Sequence, residues 1–301
     1  MNQMYYIQKI NEIVSFKGEI MIQHKFGLYE KALPRDLALS EKLRIAKDLG
    51  FDYFELSTDE SEEFQARVTS DKSEIIEIRK AIEAYDMPIM TMCLSGTRNC
   101  PIGSENPELA TKGMKLTRDA IHFSAEIGLR IIQPMAYDEY YNTRNEKTYA
   151  LFLENLAKLT QEAASYGVML ALENVDIDTM DSLEKGLQII EHVDSPWLQI
   201  FPDIANLYST GKGNTWSCDQ YRLAKKHLVA THVKDTVVGK VRDIPFGNGN
   251  VDFIKFFKTL REINFSGPMT LEMWAQNYED PYKAAKDALS FIKDKYERSS
   301  Q

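Results

Sequence analysis

The sequence predicts an α/β protein of one domain, a (β/α)8 TIM barrel. Three observations predict it. Eight short apolar runs recur along the chain, helical patterns lie between them, and no composition break or linker interrupts the 301 residues. Hydrophobic residues make up 44% of the chain and charged residues 27%, which is enough for a core large enough to serve one big domain.

The strand candidates are "KFGLY" (25–29), "YFELS" (53–57), "PIMTMCLS" (88–95), "RIIQPMA" (130–136), "VMLALENV" (168–175), "LQIFPDI" (198–204), "LVATHVKD" (228–235) and "PMTLEMW" (268–274). Near-continuous apolarity suits parallel strands covered on both faces. A helix is expected over 105–127, with Asn106 as N-cap, Pro107 at the first helical position and Gly128 as the stop. A second runs over 145–166 and ends at Gly167; a third opens at Asp252 and ends near Asn264. An open doubly wound sheet is the alternative. It would carry a glycine-rich first turn, and "GLYEKALP" has none. Residues 1–22 read as an N-terminal appendage to a catalytic barrel spanning 23–301.

A net charge of −9 argues against a nucleic-acid partner, which requires a basic footprint. The three cysteines, Cys93, Cys100 and Cys218, form no C-x-x-C pair and suit a reducing compartment. No run approaches the ~18 apolar residues of a membrane span, and the N-terminus lacks the pattern of a secretory signal. A cytoplasmic protein without a membrane partner is expected; a homodimer is compatible with the sequence.

Active sites of such barrels lie at the C-terminal ends of the strands. Ionisable residues end four consecutive strand candidates: Glu173, Asp203, His232 and Glu272, separated by 30, 29 and 40 residues. That is one βα unit per step. Any one of them alone reads as an ion-pair partner, a helix cap or a core imidazole. Together they bring three carboxylates to one point, where mutual repulsion raises their pKa values. A divalent cation relieves this, and one nitrogen with several oxygens suits Zn, Mn, Mg or Co.

Seven segments carry a family resemblance: "GLYEKALP" (27–34), "MCLSGTRNCPIGS" (92–104), "IQPMAYDEYY" (132–141), "PDIANLYS" (202–209), "HVKDT" (232–236), "IPFGNGNVDF" (244–253) and "LEMW" (271–274). The chain resembles the L-ribulose-5-phosphate (L-xylulose-5-phosphate) 3-epimerases of the bacterial ascorbate-utilisation route, within the xylose-isomerase-like barrels. The resemblance implies one divalent metal ion on Glu173, Asp203, His232 and Glu272. It also implies that Glu173 and Glu272 are the acid–base pair. Some free-sugar epimerases carry a histidine where this chain has Asn206, so their sugar preference does not transfer.

The implied reaction inverts C3 of a ketose phosphate. A metal-stabilised enediolate lowers the barrier, and two carboxyl groups exchange protons on opposite faces. Lys31, Arg98, Lys234 and the amides of Gly247 and Gly249 are candidate donors to the substrate phosphate. Each also has an ordinary reading as a solvated charge or a turn. Tyrosines in "YDEYY" and Trp274 are candidate pocket walls. Other sugar isomerases or epimerases, an inosose-type dehydratase, and a non-catalytic sugar-phosphate-binding barrel are the alternatives.

Overall fold

Eight parallel strands form one sheet in a computed structural model that describes residues 24–301. They are β1 (Phe26–Tyr29), β2 (Tyr53–Thr58), β3 (Ile89–Leu94), β4 (Ile131–Pro134), β5 (Met169–Leu172), β6 (Leu198–Ile200), β7 (Thr231–Val233) and β8 (Met269–Leu271). Seven lie within the predicted apolar runs, and β2 runs one residue past its own, to Thr58. The proposed appendage, residues 1–22, falls outside the described residues.

Helix ends follow local chemistry. Pro107–Ile127 opens with the Asn106 side chain accepting from the Glu108 amide, and Gly128 closes it at φ 86°. Glu146–Ser165 opens on a capping box between Asn145 and Thr148. Phe253–Glu262 opens with Asp252 accepting from the Lys255 amide. The helices pack their apolar stripes on the outside of the sheet, and one contiguous cluster from Phe26 to Ile292 forms the core.

The strand order is β6-β5-β4-β3-β2-β1-β8-β7, so β6 and β7 are the two ends of the ladder. The wall closes between them by isolated bridges, Ile200 with Leu228 and Asp203 with His232. The Ile200 amide donates to His227 (2.8 Å), the Val229 amide to Ile200 (3.1 Å) and the His232 amide to Pro202 (2.9 Å). Pro202 has no N–H to return, which thins the ladder at this seam. The predicted runs around β6, β7 and β8 are longer than the ladders, and Asp203, Lys234 and Glu272 lie in the parts that extend beyond them.

Candidate active site and metal centre

Glu173 follows β5 directly, and Glu272 follows β8 directly. His232 lies inside β7. Asp203 caps the short helix Ile204–Ser209, its Oδ1 accepting from the amides of Ala205 (2.6 Å) and Asn206 (3.3 Å). Asn174 holds the Asp203 backbone from both sides: it accepts from the Asp203 amide (2.9 Å) and donates to its carbonyl (3.1 Å). That side chain continues the β5–β6 pairing where the backbone ladder has stopped.

One ligand atom from each of Glu173, Asp203, His232 and Glu272 lies within 4.8 Å of the others, and all four residues are buried. His232 is fully buried, with Nε2 2.7 Å from Glu55 Oε1 and Nδ1 3.0 Å from Glu173 Oε1. Glu55 is itself oriented by the hydroxyls of Thr91 (2.5 Å) and Thr270 (3.0 Å). With Nε2–H given to Glu55, the Nδ1 lone pair faces a carboxylate oxygen. A proton or a cation is needed between them. Gln133 Nε2 lies 3.3 Å from the same Nδ1.

Asp203 Oδ2 is buried and pairs with Lys234 Nζ at 2.7 Å. The same ammonium donates to Glu272 Oε2 (2.7 Å) and Asn206 Oδ1 (3.0 Å). Three convergent carboxylates and an oriented imidazole fit a divalent ion. The donor set gives three oxygen ligands and one nitrogen.

Environment separates the two glutamates. Burial raises Glu173 to about 7, against the opposing pull of His232. Burial pushes Glu272 the same way, but Lys234 and His232 outweigh it and hold that carboxyl at about 2. His232 is raised well above its ordinary range: burial opposes this, and Glu55, Glu272 and Glu173 prevail. Asp203 is raised by burial.

One pocket opens over these groups. Its walls include Tyr29, Cys93, Tyr137, Tyr140, Asn206 and Trp274 together with both glutamates. Lys31, Arg98 and Lys234 also line it. Each is engaged: Lys31 with Asp59 (3.2 Å), Arg98 with Glu60 (3.0 Å), and Lys234 within the cluster. Tyr141 points away, donating to Glu60 at the surface (3.0 Å).

The expected amide cradle is corrected by the structure. Gly247 and Gly249 both donate to Asp235 Oδ2, at 2.8 and 3.0 Å, so these amides hold the loop rather than an anion. Asp235 also turns away from Lys234, whose partners are Asp203 and Glu272.

Sequence reasoning did not single out Glu55, Gln133, Asn174 or Arg242. A glutamate inside "YFELS" and a glutamine inside "RIIQPMA" were available signals, because a polar side chain in an apolar strand needs a buried partner.

A profile described as Xylose isomerase-like TIM barrel matches residues 43–295. The chain belongs to this family. It is 36% identical over 274 residues to the L-ribulose-5-phosphate 3-epimerase UlaE of Escherichia coli (strain SE11), covering 90% of this chain and 94% of that one. The same identity and coverage hold for its namesake in Shigella sonnei (strain Ss046). Among solved structures, 3-keto-D-glucoside 4-epimerase YcjR from E. coli superposes with a TM-score of 0.75 at 22% identity, covering 90% of this chain and all of that one. D-allulose 3-epimerase from Methylomonas sp. gives 0.74 at 20% identity, covering 91% of this chain and 98% of that one. These structures share the fold. The family member described here is a carbohydrate epimerase, an enzyme of the isomerase class.

Proposed function

We propose that this chain interconverts L-ribulose 5-phosphate and L-xylulose 5-phosphate by inverting C3. The observation that carries the reading is the pair Glu173 and Glu272, set three strands apart on the wall of one pocket and both within the buried four-residue cluster suited to a metal. The similarity to proteins bearing that activity in their name supports the substrate.

A divalent ion held by Glu173, Asp203, His232 and Glu272 supplies Lewis acidity that makes a C–H bond beside a carbonyl removable. The chain's own groups do the rest. One glutamate takes the C3 proton from one face, and the other returns a proton to the opposite face. Glu55 fixes the imidazole, and Asn206 ties Glu173 to Lys234. Tyr29, Tyr137 and Trp274 limit water around the reacting carbon. The three buried thiols agree with a cytoplasmic enzyme.

Solvent deuterium exchange at C3 tests the pair. Glu173→Gln and Glu272→Gln should each slow exchange by roughly 10²–10⁴-fold. Full exchange in either variant would remove the two-carboxylate mechanism.

A further inference from the structure

We propose that the phosphate-bearing end of the substrate lies on the β8–β1 side of the pocket, where Arg242 grips it. The proposal rests on the ketose-phosphate reading above and names the residue that selects for the phosphate.

Four long cationic side chains line the pocket: Lys31, Arg98, Lys234 and Arg242. Three already have anionic partners. Lys234 is held between Asp203 and Glu272 at the metal centre, 2.7 Å from each. Arg98 is fixed to Glu60 at 3.0 Å and lies over the Tyr140 ring at 5.0 Å. Lys31 shares Asp59 with Arg35. Among the described residues, Arg242 pairs with no carboxylate; it lies 5.9 Å from the ring of Trp274. A guanidinium over an aromatic wall, with its hydrogen-bond fork unclaimed, suits bidentate capture of a phosphate.

The loop that carries it is anchored. Asp235 binds the amides of Gly247 and Gly249 at one end, and Asn277 donates to Asp243 (2.8 Å) beside the arginine. Space also continues on this side. A neighbouring groove runs toward Pro34 and Gln276 and shares Lys31, Arg242 and Trp274 with the pocket. With C3 between the two glutamates, the C5 substituent has room here. Toward β3 and β4, by contrast, Arg98 is already tied to Glu60 and Tyr137.

The test compares metal-loaded wild type with Arg242→Gln and Arg242→Lys. Arg242→Gln should raise KM for L-ribulose 5-phosphate about tenfold or more with kcat largely kept, a difference of ~1.4 kcal/mol. The kcat/KM ratio of phosphorylated to unphosphorylated ketose should fall by a similar factor, and Arg242→Lys should recover part of the loss. An unchanged KM, or an equal loss on both substrates, overturns the assignment. Calorimetry with glycerol 3-phosphate reads the grip without turnover: equal affinity in wild type and Arg242→Gln overturns it as well. Wild type that epimerises no phosphorylated ketose overturns the proposed function instead, and the calorimetric arm still decides Arg242.

Discussion

Lys234 brings a positive charge to a place where carboxylates would otherwise face each other. Its ammonium pairs with both Asp203 and Glu272, two of the four groups suited to a metal. A divalent ion and a buried ammonium within a few ångströms repel by several kcal/mol at an effective dielectric of about 20. Lys234→Met should therefore tighten Co²⁺ or Zn²⁺ binding by about tenfold, ~1.4 kcal/mol, while lowering the melting temperature of the metal-free protein. Titration calorimetry and thermal melts check both; weaker binding would mean that the lysine orients the ligands instead. At this scale the four ligand candidates were legible, because each sits where an apolar run meets the barrel mouth. Glu55 was less so. It lies inside an apolar strand, and its partner is a histidine 177 positions away in the chain. Arg242 was not legible at all, since which pocket cation stays unpaired depends on ion pairs between distant loops.

Between β7 and the helix Phe253–Glu262, one carboxylate organises a whole loop. Asp235 accepts from Thr236, Gly247, Gly249 and Val251, drawing the chain back on itself. Gly249 has no room for a side chain: a Cβ there would come within 2.1 Å of Asp235 Oδ1 and 2.6 Å of the Thr236 amide nitrogen. Gly249→Ala should cost about 1–3 kcal/mol in chemical denaturation, as overpacking does. It should also raise KM through displacement of Arg242. A stability equal to wild type would show that the loop has slack. The sequence pattern "GNGN" offered two readings, an ordinary turn or amides open to an anion. Only the fold reveals that an internal carboxylate reaches those amides first. Strand number and order of strands and helices were readable from apolar runs; strand length was not, because side chains such as Asn174 replace backbone pairing at the rim.

Across the whole molecule, acid stability has an identifiable component outside the cluster of Glu173, Asp203, His232 and Glu272. Glu30 is fully buried and bound by Arg67 (2.6 Å), Lys42 (3.1 Å) and the Ser57 amide (2.8 Å). Burial opposes ionisation, yet Arg67 and Lys42 hold its pKa below the ordinary 4.5. A lowered carboxyl pKa stabilises the fold fully above the unfolded value, and this contribution is lost as pH falls through the folded one. Unfolding free energy should thus decline below about pH 4.5. Glu30→Gln should flatten that decline and cost about 3–5 kcal/mol at neutral pH, because buried Lys42 and half-buried Arg67 lose their partner. Denaturant titrations across pH measure both; an acid limb identical to wild type would exclude Glu30 as its source.

The seam between β6 and β7 gives the barrel the form of a bracelet with a clasp. Elsewhere the hoop is continuous ladder, but here it is fastened by two isolated bridges, one of them joining Asp203 to His232. Those same residues offer donors from opposite sides of the gap. A ligand that bonds to both is a rivet through the clasp. Parting the wall at this point requires letting go of such a ligand, so tight loading of the site slows opening of the hoop.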